Sequence, residues 1–317
     1  LLQEKLQDDC LDALSENFDN LLNDGKVHVE DGIPDEKTAS KLAEIYRAVR
    51  LDEISTEDRR LLLQLSLLTV YRKEKIQANH QMTPDSIGFL TAYLLQQVYE
   101  KKDETNFLDL CVGTGNLAAV VINALKNNGF KNIHGFGIDN DDTLLTIASI
   151  ESQLCDLDLN LYHQDALDKS LIPQADVIVS DLPVGWYPLD ERAEGYETHA
   201  KEGHSFVHFL LIEQALDNLK EGGIGMFLIP SSMFESEESL PLLKFIQKNG
   251  YLQSLINLPG AMFASKKSEK AILILQKKGA KSKQANPVLL GEFPLVKDTK
   301  NFEKFMAEVA VWKEKNF

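Results

Sequence analysis

Beyond Lys101 the chain alternates short apolar runs with amphipathic helical stretches, which confines it to βαβ units wound around a largely parallel sheet. The strand-forming runs are residues 106–111, 132–138, 159–163, 176–180, 225–229, 252–258 and 271–276. Helical stretches at 117–127, 143–154, 206–219 and 238–249 lie between them, the third stopped by Glu221-Gly222-Gly223 and the fourth by Gly250. Only the segment 259–270, with no long helical stretch, separates the last two runs, so an antiparallel strand is expected at that edge of the sheet. The predicted class is α/β, with a seven-stranded, mostly parallel sheet.

A chain of 317 residues has room for one large α/β domain and accessory pieces. Residues 1–78 read as a small helical domain of three helices. Leu42, Ile45, Tyr46 and Val49 share one helical stripe there, and Asp35 and Ser55 or Thr56 stand as N-caps. Residues 79–281 form the α/β domain, and 282–317 a C-terminal extension, a strand and a helix, packing on it. No run approaches eighteen apolar residues, and Glu4, Lys5, Asp9, Asp12, Glu16 and Asp19 punctuate the first twenty, so neither a membrane span nor a secretion signal is expected. The expected location is cytoplasmic. Cys10, Cys111 and Cys155 are widely spaced without a C-x-x-C, which argues against a disulfide framework or a thiolate zinc site.

Forty-nine acidic residues against 33 basic ones give a net charge of −16, a balance that repels polyanions and offers no general surplus for gripping nucleic acid alone. Lys266, Lys267, Lys270, Lys277, Lys278, Lys281 and Lys283 are a local exception. They fit either a nucleic-acid backbone or a solvated edge strand whose lysines discourage pairing.

The strongest local signal is Phe107-Leu-Asp-Leu-Cys-Val-Gly-Thr-Gly-Asn-Leu117, an apolar strand that enters a Gly-x-Gly turn and opens a helix. Gly113 and Gly115 let a ligand approach the backbone, and the free N–H groups of the helix start favour an oxygen-rich partner. Alone, the spacing of Gly113, Gly115 and Ala118 fits NAD as well as S-adenosylmethionine. Acids at three successive strand ends favour the latter. Asp109 stands where it can face a cationic methionine moiety, Asp139 where it can accept both ribose hydroxyls, and Asp165 where it can accept the adenine amine.

With these residues the chain resembles the class I S-adenosylmethionine-dependent methyltransferases. More narrowly, it resembles the N6-adenine DNA methyltransferases related to the modification subunit of type I restriction systems, in their YtxK-like branch. The resemblance spans residues 79–278. A Thr-Pro turn before the first strand is matched by His80-Gln-Met-Thr-Pro84, and D-P-x-x-G-T-G by Asp109-Leu-Cys-Val-Gly-Thr-Gly115, with Leu110 in place of proline. The later helix, Gly-Gly turn and strand resemble Ser205–Phe209, Gly222-Gly223 and Leu228-Ile-Pro230, and L-P-x-x-x-F resembles Leu258-Pro-Gly-Ala-Met-Phe263, followed by Ile272–Leu275. The resemblance implies a Rossmann-like methyltransferase fold and S-adenosylmethionine held by Thr83, Asp109, Cys111, Gly113, Thr114, Gly115, Asn116, Leu117, Asp139, Asn140, Asp165, Ala166 and Asp181.

The family's N/D-P-P-Y/F motif is represented by Ser180-Asp-Leu-Pro-Val-Gly-Trp-Tyr187. There Asp181 and the Leu182 carbonyl would accept the two hydrogens of an adenine amine, Pro183 would keep the turn, and Trp186 or Tyr187 would supply the stacking ring. Val184 stands at the aromatic position, where a base–aromatic stack is worth about 1 to 3 kcal/mol. The altered motif leaves a protein amide, RNA or a small molecule open as acceptor, and a non-catalytic cofactor-binding scaffold as a further alternative. DNA is the expected partner, bound weakly by the chain alone, with a partner subunit docked through the helical N-terminal domain. His199, His204 and His208 have no Cys or carboxylate at ligand spacing, so no metal is expected.

Overall fold

The computed structural model describes residues 1–6, 9–74, 76–169, 172–295 and 297–317. The chain begins with helices α1 (Leu2–Leu6), α2 (Cys10–Leu22), α3 (Glu36–Ala48), α4 (Thr56–Lys73) and α5 (Asp85–Val98). The alternating region follows: β1 (Glu104–Asp109), α6 (Asn116–Asn127), β2 (Asn132–Asp139), α7 (Asp142–Leu154), β3 (Leu159–His163) and β4 (Ala175–Asp181). Next come α8 (Asp190–Ala193), α9 (Val207–Asn218), β5 (Leu219–Pro230), α10 (Leu240–Asn249), β6 (Gly250–Asn257), β7 (Lys270–Lys277), β8 (Leu289–Glu292) and α11 (Thr299–Asn316).

One sheet runs in the order β3-β2-β1-β4-β5-β7-β6-β8. Its first five strands are parallel, β7 is antiparallel to both β5 and β6, and β8 is parallel to β6. The late antiparallel strand is present, but it lies inside the sheet rather than at the rim. Its unbroken apolar run Ala271–Leu275 is buried, and only an interior strand between two covered faces can bury it. The sheet has eight strands rather than seven, because the strand expected in the C-terminal extension, β8, joins it by pairing parallel with β6.

Helices cover both faces. On one, α5, α6 and α11 bury Leu95, Val121, Leu125 and Trp312 against Phe107, Val177 and Met226; on the other, α9 and α10 bury Leu210, Leu216 and Phe245 against Ile178, Phe227 and Leu273. The sequence reading misses α5. Ile87, Leu90, Leu94, Leu95 and Val98 form its buried stripe, but the opposite side carries Phe89, 57% exposed, and Tyr93, so the contrast between faces that marks an amphipathic helix is weak. The N-terminal helices rest on the outer side of α7: Leu11 and Phe18 of α2 and Leu63, Leu67 and Val70 of α4 meet Ile147, Ile150 and Leu154. Asp35 and Ser55 are the N-caps expected, accepting from Thr38 N and Asp58 N at 3.0 and 3.1 Å. Among the described residues no helix is long and apolar enough to cross a membrane.

A buried polar knot joins this helical region to the sheet domain. Arg60 Nε donates to Glu151 at 2.9 Å, and its guanidinium also reaches Asp85 at 3.0 Å and Asn116 at 2.7 Å. Gln64 donates to the same Asp85 and Asn116 at 2.7 and 2.8 Å. Burial pushes the Glu151 carboxyl up to about 7 even with Arg60 beside it. Arg60→Ala strands Glu151 without a cation and is expected to destabilise the fold by about 3–5 kcal/mol, read as a lower denaturant midpoint at pH 8.

Candidate functional site

The site is built at the carboxyl ends of the parallel strands, where an open α/β sheet leaves a crevice. After β1 the backbone turns sharply: the Leu110 N–H donates to Ser180 Oγ at 2.9 Å and the Val112 N–H to the Ile138 carbonyl at 2.9 Å. Gly113 (φ +52°) and Gly115 (φ +82°) take left-handed conformations that L side chains resist. Their roles differ. A Cβ on Gly115 would stand 3.1 Å from Ala148 Cα, so this glycine lets α6 approach α7, whereas Gly113 lines a cavity with little near its missing side chain.

That cavity measures about 530 Å³, within the range of small-molecule sites. Asp109, Asp139, Asp165 and Asp181 all line it, with Thr83, Cys111, Gly113, Thr114, Asn116, Leu117, Asn140, Ala166, Leu182, Pro183, Trp186 and Tyr187. Of the catalytic and cofactor-binding residues expected from the sequence, Gly115 is the one outside this wall among the described residues.

The acids are not equivalent. Asp109 is buried; one oxygen accepts the Cys111 N–H at 3.1 Å and the other has no hydrogen-bond partner. Burial, reinforced by nearby Asp139 and Asp181, pushes its carboxyl up to about 7. Asp139 is braced from both sides, Oδ2 by the Gly113 N–H at 2.8 Å and Oδ1 by the Asp141 N–H at 3.1 Å, and burial raises it as well. Each of its oxygens keeps a lone pair for a further donor.

Asp165 is already engaged, accepting from the Leu167 N–H at 2.9 Å and from the Tyr187 hydroxyl at 2.6 Å. Tyr187 is buried, and burial together with Asp165 pushes its phenol up to about 12. Tyr187, buried in the cavity wall, therefore braces an acid, which leaves Trp186 the more exposed of the two rings. Trp186 is 56% exposed, stacked on Phe206 with ring centroids 4.1 Å apart, and stands in the cavity wall.

At the end of β4, Asp181 Oδ2 accepts from the Thr83 hydroxyl at 2.9 Å and Oδ1 is ion-paired with Lys270. Thr83 is in turn located by Asn116, whose Nδ2 donates to the Thr83 carbonyl at 2.6 Å. The Arg60 knot thus reaches into the site. Asn79 clips the backbone of Val184, taking its N–H at 3.4 Å and donating to its carbonyl at 3.3 Å, while the Leu182 N–H donates to the Leu228 carbonyl at 3.1 Å. The altered turn is held by these contacts in place of a second proline.

Among the wall residues that sequence reasoning misses are three with polar groups at the site. Lys270 appears there only as part of a basic cluster, which the fold disperses: Lys277 and Lys278 cap carbonyls of α9 and α10, and Lys270 alone turns into the cavity. Gln164 lines the cavity with its buried amide nitrogen unpartnered, signalled in sequence only by its place beside Asp165. Asn79 carries no sequence signal beyond its proximity to the Thr-Pro turn. Of the histidines, His204 pairs with Asp190, and His208 is buried against Phe206 and Phe209 with its imidazole pushed down to about 4 by that burial.

The sequence profile of the N-6 DNA methylase family matches residues 66–310. The chain belongs to that family. The protein YtxK of Bacillus subtilis is 35% identical over 315 residues, covering 99% of this chain and 94% of YtxK. A solved structure from Listeria monocytogenes, classed with the class I S-adenosylmethionine-dependent methyltransferases, is 39% identical and superposes with a TM-score of 0.90, covering 98% of this chain and 94% of its own. The type I restriction-modification methyltransferase subunit of Streptococcus thermophilus shares the fold, with a TM-score of 0.67 at 14% identity over 95% of this chain and 70% of its own. As a member of the N-6 DNA methylase family the chain is a methyltransferase dependent on S-adenosylmethionine. The NAD alternative falls with that membership.

The residues present fit such a cofactor on their own chemistry. Asp109 keeps a buried carboxylate oxygen for a cation, Gln164 a buried donor, and Gly113 a close approach for the backbone.

Proposed function

We propose that this methylase modifies the N6 amine of adenine in DNA, with Asp181 as the group that receives the amine. The observation that carries the reading is the fixation of Asp181 at the cavity wall by Thr83 and Lys270, on the same cavity as the unpartnered oxygen of Asp109. Asp109 and Asp139 would hold the methionine and ribose portions of S-adenosylmethionine, and Asp165 and Gln164 its adenine. The bound cofactor supplies an electrophilic methyl on a positively charged sulfur.

The remaining chemistry belongs to the chain. Asp181 and the Leu182 carbonyl accept the two hydrogens of the target amine, which localises the nitrogen lone pair and points it at the reacting carbon. As the new C–N bond forms, the bond from the methyl to sulfur would break with its electron pair left on a neutral thioether, and the nitrogen sheds one proton toward Asp181 and solvent. Trp186 stands at the mouth where a flipped base would stack, a task Val184, 47% exposed beside it, cannot perform. Residues 79–281 would carry out this reaction, with 1–78 and 282–317 as the helical domain and extension that frame it. Because the chain carries a net −16, its own grip on duplex DNA is expected to be weak, and a partner subunit would supply the rest.

Transfer of labelled methyl from S-adenosylmethionine to DNA, RNA and protein fractions tests the reading: label in adenine-containing DNA is the expected result, and label confined to protein would overturn it. Lys270→Met is expected to lower kcat about 10- to 100-fold with the cofactor KM unchanged, since it frees the Asp181 carboxylate to rotate, and Lys270→Arg should recover part of the loss.

A further inference from the structure

Helix α4 is apolar on two opposite sides. Leu63, Leu67 and Val70 are buried against α2 and α7, yet Leu61, Leu65 and Leu68, at i, i+4 and i+7, are 48%, 54% and 41% exposed on the face turned away. That face is bounded by charge of opposite sign at its two ends: Glu57 and Asp58 in the first turn, Arg72 and Lys73 in the last. None of the four makes an ion pair among the described residues, although the Asp58 carboxylate accepts from the Ser55 hydroxyl, which in turn accepts the Asp58 N–H. The charges are symmetric about Leu65, and Leu61 and Leu68 lie four and three residues to either side of it. Laying a second α4 antiparallel across it, with the two-fold axis at Leu65, brings Glu57 and Asp58 of one copy to Lys73 and Arg72 of the other at both ends, about 24 Å apart.

We infer that this face pairs with α4 of a second copy of the same chain, as an isologous antiparallel contact built from the leucine stripe and closed at each end by the charged pairs. Self-complementarity is what such a two-fold contact demands, and this surface has it in order of charge, with the exposed leucines between. The opposite face of α4 holds Arg60 and Gln64 and leads to the cofactor cavity, so pairing leaves the cavity mouth open. One helix pair buries less than the ~1,200 Å² of a standard stable interface, so the dimer is expected to be weak, with a dissociation constant of about 10–100 μM.

Sedimentation velocity on the full chain between about 1 and 300 μM measures this directly. The expected result is a concentration-dependent monomer–dimer equilibrium that Leu65→Glu abolishes, because the two-fold axis sets that charge against its own copy. The decisive arm is a charge swap. Glu57→Lys/Asp58→Lys and Arg72→Glu/Lys73→Glu variants should each be monomeric alone, by repulsion at both ends, and should associate when mixed. Unchanged circular dichroism and cofactor binding in each variant certify folding. A wild-type chain that stays monomeric throughout, a dimer that survives Leu65→Glu, or swapped variants that fail to associate on mixing would each overturn the inference.

Discussion

Asp181→Ala is expected to lower methyl transfer by about 10³-fold, some 4 kcal/mol of transition-state stabilisation, while S-adenosylmethionine affinity changes little. Among the described residues, Asp181 is the cavity acid whose carboxylate is clamped by side chains from two distant segments, Thr83 before α5 and Lys270 at the start of β7. Clamping restricts the acceptor to one orientation, and a hydrogen-bond acceptor aimed within a few tenths of an ångström is worth far more to a transition state than a mobile one. Alanine removes the acceptor and leaves the Leu182 carbonyl alone. Asp181→Asn keeps an acceptor oxygen but loses the ion pair with Lys270, so it should retain a larger share of activity than alanine. Single-turnover kinetics with saturating cofactor reads the effect on chemistry, and equal cofactor titrations for wild type and variants exclude a binding origin. A variant as active as wild type would remove Asp181 from the mechanism.

Asp109→Asn should weaken S-adenosylmethionine binding about 10- to 100-fold at pH 7.5, roughly 1.4–2.7 kcal/mol, and should flatten its pH dependence. The cause is the buried carboxyl raised to about 7. In the free protein it is largely protonated below that value, and a cationic ligand requires the ionised form. Wild-type affinity should therefore rise with pH by up to about tenfold per unit below 7 and level off above it, with a proton released on binding at pH 6. Titration calorimetry at pH 6 in two buffers of different ionisation enthalpy counts that proton.

The same shift acts on folding with the opposite sign. An acid whose folded pKa lies above its unfolded value of about 3.9 binds more protons when folded, so it costs stability as pH rises from about 4 to 7. The ligand-free Asp109→Asn variant should accordingly gain on wild type across that window, by about 2–4 kcal/mol at its upper end. Asp139, also raised by burial, keeps part of the pH dependence in the variant.

The Gly113–Gly115 turn, the acids at three successive strand ends and the helix that follows were legible because each obeys a local rule: small residues where the backbone turns left-handed, and short apolar runs where strands are buried on both faces. Asp109, Asp139, Asp165 and Asp181 are accordingly gathered on one cavity as their spacing predicts. The helix α5 was not legible, since Phe89 and Tyr93 on its outer side blur its period, and the strand expected in the C-terminal extension gave no sign in its residues that it would extend the sheet beside β6.

What the sequence by itself determined is the order of elements and the set of acids at the strand ends, because backbone conformation and apolar period are local properties. Only the tertiary structure decided which of those acids are spoken for. Tyr187 lies 22 residues from Asp165 and Lys270 lies 89 from Asp181, so their pairing depends on the crossing of β4, β5 and β7 and not on any spacing along the chain. The unpartnered oxygen of Asp109 is likewise a product of burial, which no residue carries until the sheet closes around it.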